Sequence, residues 1–149
     1  MTGWRLGWLI VPENAIEAAT KLMQNLFIAA PTHSQYAALA AFEEETLVLL
    51  EQRRKEFNLR RDRLYNGLKD LGFIIPNKPE GAFYIYADCS NFSADSYQFS
   101  LDLLEQAGVA VTPGIDFGEN QASRYIRFAY TTSLEKIEEG LRRIKTFIV

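Results

Sequence analysis

Two arginines are the residues best suited to chemistry. Arg5 sits in the turn Gly3-Trp4-Arg5-Leu6-Gly7, where glycines let backbone approach a ligand closely and a guanidinium offers a planar fork to phosphate or carboxylate. Arg127 lies between Ile126 and Phe128 in a strand pattern, where alternation aims it away from both apolar neighbours. A charge so placed needs an anion partner, either a protein carboxylate in an internal salt bridge or a ligand. The residues alone leave both readings open and support an anion binder.

Other chemistry is thin. The 149 residues hold one histidine, His33, and one cysteine, Cys89, which leaves no cluster for a metal and no disulfide framework. His33 reads as an exposed polar residue and Cys89 as a passive thiol, and a reducing cytoplasm is the expected setting. A net charge of -3 gives no field that favours nucleic acid or anionic lipid. The basic run Arg53, Arg54, Lys55, Arg60, Arg61, Arg63 is interleaved with Glu51, Glu56 and Asp62, so it reads as a solvated helix face. No apolar run approaches the roughly 20 residues of a membrane span, and the first residues lack the order of a signal peptide.

These arginines need elements to hold them. Met1 to Val11 reads as a glycine and tryptophan turn feeding an apolar strand, an abrupt opening that leads us to expect further chain ahead of it. Pro12 suits a first helical turn, and Ile16, Ala19, Met23 and Leu26 follow at helical spacing. Beyond Pro31, residues 34–70 hold one glycine and no proline, which predicts one or two long helices with Leu50, Phe57, Leu64 and Leu68 as a stripe. After Gly72 come β-rich runs, Phe73 to Ile75 and Ala82 to Ala87. Ser93 is the expected cap of a helix carrying Tyr97, Leu101 and Leu104 and closing at Gly108. Val109 to Thr112 and Tyr125 to Tyr130 read as strands. Thr132 and Glu135 form a capping box for a last helix with Leu134, Ile137, Leu141, Ile144 and Ile148 on one face. The sum is an α+β layer, a small sheet with helices on one face.

The run Met-Thr-Gly-Trp-Arg-Leu-Gly at the start resembles the signature that follows the Schiff-base lysine of class I, aspartate aminotransferase-like enzymes of fold type I. Pro79-Glu80-Gly81-Ala82-Phe83-Tyr84, Val111-Thr112-Pro113-Gly114-Ile115-Asp116-Phe117-Gly118 and Tyr125-Ile126-Arg127-Phe128-Ala129 fall in that family's order, so the resemblance spans essentially the whole chain. It implies the C-terminal part of a pyridoxal 5'-phosphate (PLP) dependent aminotransferase: residues 1–34 ending the large cofactor domain, 35–70 a long interdomain helix, 71–149 the small domain. It implies that Arg5 binds the cofactor phosphate and that Arg127 takes the α-carboxylate of an amino acid or 2-oxo acid. Phe83 and Tyr84 are implied on the substrate side, or else in small-domain packing. The Pro113 to Gly118 loop is implied near the mouth of the site, and Thr32, Ser34 and Gln35 at a homodimer interface.

The resemblance also places the lysine that anchors the cofactor just ahead of Met1. No catalytic residue is therefore expected in this chain, and none of Lys21, Lys55, Lys69, Lys78, Lys136 or Lys145 has the motif context to substitute. The segment alone is expected to be inactive. The alternatives on the same scaffold are a C–S lyase, a decarboxylase, or a non-catalytic remnant that keeps ligand binding.

Overall fold

The computed structural model describes residues 2–149. The chain divides into two compact units, one ending at Gln52 and one running Arg53–Val149.

In the first unit a short 3-10 turn, Glu13–Ala15, follows Pro12 and runs into α1 (Ile16–Leu26). Next come α2 (Thr32–Ala40) and the start of α3 (Glu44–Leu71), separated by a turn in which the Phe42 and Glu43 N–H groups donate to Leu39 and Ala40. The long helical region therefore consists of two helices. The apolar strand expected to end the Met1 to Val11 run is absent from the described residues, because a strand needs a neighbour for its N–H and C=O groups and all three strands of the described residues pair in the second unit. α1 buries none of its residues; Ile16 and Met23 instead line an open apolar cleft of about 660 Å³ with Leu9, Ile10, Phe27 and Ile28.

The second unit is built on three antiparallel strands, β1 (Tyr84–Asp88), β2 (Thr112–Pro113) and β3 (Tyr125–Ala129), in the order β1-β3-β2. Alternation sorts the faces. Ile85, Ala87, Ile126 and Phe128 point into a core shared with Leu64 and Leu68 of α3, with Phe99 and Leu103 of α4 (Ser96–Ala107), and with Ile137, Leu141 and Ile144 of α5 (Leu134–Ile148). Burying such side chains stabilises by about 1.5–3 kcal/mol each. Phe73 joins the core edge-on to Phe128 at 5.3 Å. Gly67 lies so close to Leu141 that any side chain there would displace it.

Several boundaries differ from the sequence reading for local reasons. The cap of α4 is Asp95, whose carboxylate accepts from the Tyr97 and Gln98 N–H groups at 2.9 and 3.2 Å; Ser93 lies two residues early and instead accepts from the Asp95 N–H. The helix does close at Gly108, in the left-handed conformation at φ 63°. The cap of α5 is Ser133, which accepts from Lys136, one residue later than Thr132. Phe73 to Ile75 contributes a single bridge between Ile74 and Asp88, and of Val109 to Thr112 only Thr112 pairs, because the Val109 N–H is spent on Leu103 at the end of α4.

Candidate functional site

Arg127 is the middle residue of the central strand. It pairs across to Tyr86 on β1 and Thr112 on β2, and these three therefore share the sheet face opposite the core. The flanking Ile126 and Phe128 are buried and hold the strand, so the guanidinium is delivered to a fixed place on the open face.

Around it stand two aromatic jaws. The guanidinium carbon lies 4.6 Å from the ring centroid of Phe117 and 5.3 Å from that of Tyr84. Its Nη2 donates to the Thr112 hydroxyl at 3.3 Å. The Nε is buried and has no partner, and no carboxylate of the described residues pairs with the side chain. An arginine has five N–H donors, and a buried one left unmade costs about 1–3 kcal/mol. The salt-bridge reading of Arg127 is thereby set aside, and a cation with open donors remains. Arg124 shows the contrast. Three positions earlier, it gives its Nη2 to Asp88 at 2.6 Å, and Asp88 is itself buried at 3% side-chain exposure.

The Arg127 side chain lines a cleft of about 510 Å³ together with Tyr84, Tyr86, Phe117, Glu119 and Asn120. Its shape depends on Gly114, which begins the 3-10 turn Gly114–Phe117. A side chain there would strike the Ala122 and Tyr125 carbonyls and come 2.9 Å from the Tyr86 hydroxyl. That close approach aims Phe117 back over Arg127 and edge-on to Tyr86 at 6.0 Å. Tyr86 stacks on Tyr125 at 4.8 Å, and burial, reinforced by Tyr125, raises its hydroxyl pKa.

Arg5, in the first unit, is exposed and takes a left-handed backbone conformation at φ 51°. It shares a cleft of about 550 Å³ with Trp8, Met23, Phe27 and Pro31, and no hydrogen bond or ion pair of the described residues occupies it. Its turn thus presents a second unpaired guanidinium.

A family model described as "Aminotransferase class I and II" matches residues 1–144. The chain belongs to this aminotransferase family. It is 48% identical to the (5-formylfuran-3-yl)methyl phosphate transaminase of Methanocaldococcus jannaschii, over 99% of this chain and 39% of that protein. It is 39% identical to the valine--pyruvate aminotransferase of Mycobacterium tuberculosis, over 99% of this chain and 38% of that one. A crystal structure of an aminotransferase from Mycobacterium tuberculosis superimposes with a TM-score of 0.90 at 39% identity, covering 99% of this chain and 38% of that one. One from Methanococcus jannaschii, described as similar in its active site to kynurenine aminotransferases, gives 0.88 at 47%, covering 100% and 39%. The chain therefore spans about two fifths of the length of these relatives and has the fold of a C-terminal portion of a PLP-dependent transferase.

Within this aminotransferase segment the remaining candidates separate. Tyr84 lies against Arg127. Phe83 is 47% exposed, meets Tyr84 edge-on at 5.5 Å and lies outside the hydrophobic core of the second unit. The Ser34 hydroxyl is buried and unpartnered, Gln35 donates to the Ala30 carbonyl at 2.8 Å, and exposed His33 tilts against Trp4 at 6.0 Å. Cys89 is fully buried, its thiol pushed up to about 11 mainly by burial, and it donates to the Arg124 carbonyl at 3.2 Å; it carries no nucleophile. Thr112, Phe117 and Tyr86 are the site residues that the sequence reading did not single out. Two of them stand in the Val111 to Gly118 motif, whose aromatic and hydroxyl positions are the signal that was available.

Proposed function

We propose that this segment serves an aminotransferase that moves an amino group from an amino acid to a 2-oxo acid, and that Arg127 is its α-carboxylate fork. The observation that carries the reading is the Arg127 side chain, clamped between Phe117 and Tyr84 with its Nε buried and unpartnered. A substrate carboxylate in the cleft would accept from the guanidinium Nη groups, a bidentate geometry worth about 1.5–3 kcal/mol per charge-assisted bond. Holding the carboxylate at two points fixes the substrate's rotation about its Cα, which directs one Cα bond at the reacting centre. The two rings keep water from the guanidinium faces and strengthen the pairing.

PLP, when bound, supplies the electron sink that makes the Cα–H bond acidic. Arg5 fits its phosphate: an unpaired guanidinium in a turn flanked by Gly3 and Gly7, beside a cleft. Phe83 and Tyr84 are assigned to the substrate side. The lysine that holds the cofactor is assigned to chain preceding Met1, so the segment alone does not transaminate. Thr32, Ser34 and Gln35 are assigned to a homodimer contact on the family resemblance. No described helix is long and apolar enough to cross a membrane, and a cytoplasmic setting completes the reading.

Product analysis of the full-length enzyme tests it. A 2-oxo acid formed with the amino group retained and passed to a second 2-oxo acid is the expected result. Release of free ammonia or of carbon dioxide in its place would assign the segment to a lyase or a decarboxylase.

A further inference from the structure

Tyr130 follows directly after β3 and is buried at 2% exposure. Its ring meets Phe57 edge-on at 6.1 Å. Its backbone N–H donates to the Phe83 carbonyl at 2.8 Å, adding one rung beyond the Tyr84–Ala129 pair. Its hydroxyl reaches further, to the Ala82 carbonyl at 3.1 Å and the Gly81 carbonyl at 3.3 Å. Tyr130 thus bonds all three carbonyls of Gly81–Phe83.

That segment needs holding. Ala82 has φ 59°, a left-handed conformation in which a β-carbon crowds the following carbonyl. Such backbone persists only where its surroundings impose it. Ala82 is exposed, so packing does not impose it, and its carbonyl is bonded by the buried Tyr130 hydroxyl. The chain leaves Ala82 directly into Phe83 and Tyr84, whose rings meet at 89°, and the Tyr84 ring is one jaw of the Arg127 clamp.

We infer that Tyr130 is a positioning residue whose buried hydroxyl holds Ala82 in the left-handed conformation and thereby sets the Tyr84 ring against Arg127. The inference rests on the reading of Arg127 as a carboxylate fork. Tyr130 touches no substrate in it. Burial raises the pKa of the hydroxyl, so the proton it donates stays in place at neutral pH.

The test is an NMR titration of the 149-residue chain with 3-phenylpropionate, followed at the Arg127 Nε–H signal, with urea unfolding run in parallel to set conditions in which every variant is folded. Tyr130→Phe keeps the ring and is expected to bind roughly 3- to 10-fold more weakly, the loss of about one hydrogen bond's worth of order. Adding Ala82→Gly to it should recover affinity to within about twofold, because glycine takes this φ without a steric cost. Ala82→Val, which leaves the buried tyrosine untouched, should reproduce the loss from the other side. Tyr130→Phe binding as tightly as the wild type, or a loss that glycine at position 82 fails to recover, would overturn the inference. A wild-type chain whose Arg127 signal ignores the ligand while Tyr130 remains folded would overturn the carboxylate reading first and this inference with it.

Discussion

The guanidinium of Arg127 lies 4.6 Å from the ring centroid of Phe117, a residue ten positions earlier that arrives from the turn after β2. A cation over an aromatic face is stabilised by about 0.5–1 kcal/mol where solvent reaches it and by about 2 where it does not. The pair therefore holds a free guanidinium in place without spending its N–H donors. Phe117→Ala should leave the unit folded and weaken carboxylate binding roughly 2- to 10-fold, read by titrating the Arg127 Nε–H signal. Unchanged affinity would show that the ring does not hold the side chain.

Gly114 supports that turn, and its neighbours are backbone carbonyls that cannot swing aside. Gly114→Ala should cost about 1–3 kcal/mol of stability, an overpacking penalty, seen as a lower urea midpoint. It should also loosen Phe117, so that carboxylate affinity falls even where the protein is fully folded. A normal midpoint would contradict the close approach.

Asp88 gives a pH dependence with a definite sign. Burial pushes its carboxyl up, but the hydrogen bonds from Ser90 and from the Arg124 guanidinium outweigh it, and its pKa lies below the ordinary 3.8. A depressed carboxyl contributes stability that is present above 3.8 and lost as pH falls through the folded-state value. The urea midpoint of the wild type should therefore drop more steeply below about pH 4 than that of Asp88→Asn, with the variant less stable by about 1–3 kcal/mol at neutral pH. Parallel acid limbs would remove the Arg124 pair from the account.

Arg5 makes a separate claim on the cofactor. In the full-length enzyme Arg5→Gln should raise the PLP dissociation constant by roughly 10- to 100-fold, measured by cofactor absorbance after dialysis, because a charge-assisted phosphate contact is worth about 1.5–3 kcal/mol. Full cofactor retention would leave Arg5 as a surface residue of its turn.

Much of the fold was legible because it rests on local rules. α5 carries a helical stripe and α3 has no proline and a single glycine in 28 residues, so both could be read from spacing alone. Gly108 marked the end of α4 by its capacity for positive φ. Caps were harder, since Ser93, Asp95, Thr132 and Ser133 are all competent acceptors and only chain direction decides among them. Strand pairing was not legible at all. Tyr86 meets Arg127 across forty-one positions of sequence, and nothing local specifies that register. For the same reason Arg127 could be read as charged and strand-borne, while the choice between an internal carboxylate and a ligand waited on seeing Asp88 committed to Arg124. The apolar run before Pro12 has the composition of a strand but no strand partner among the described residues.

The most direct test compares the wild-type chain with Arg127→Leu and Arg127→Lys in titrations with 3-phenylpropionate, each variant first shown by urea unfolding to be folded. The account predicts that leucine abolishes binding with little loss of stability, since it removes a buried donor that had no partner, and that lysine, a point charge without the fork, recovers only part of it. Arg127→Leu binding the carboxylate as the wild type does, or unfolding the protein as the loss of a structural ion pair would, contradicts the claim that Arg127 is a free carboxylate fork.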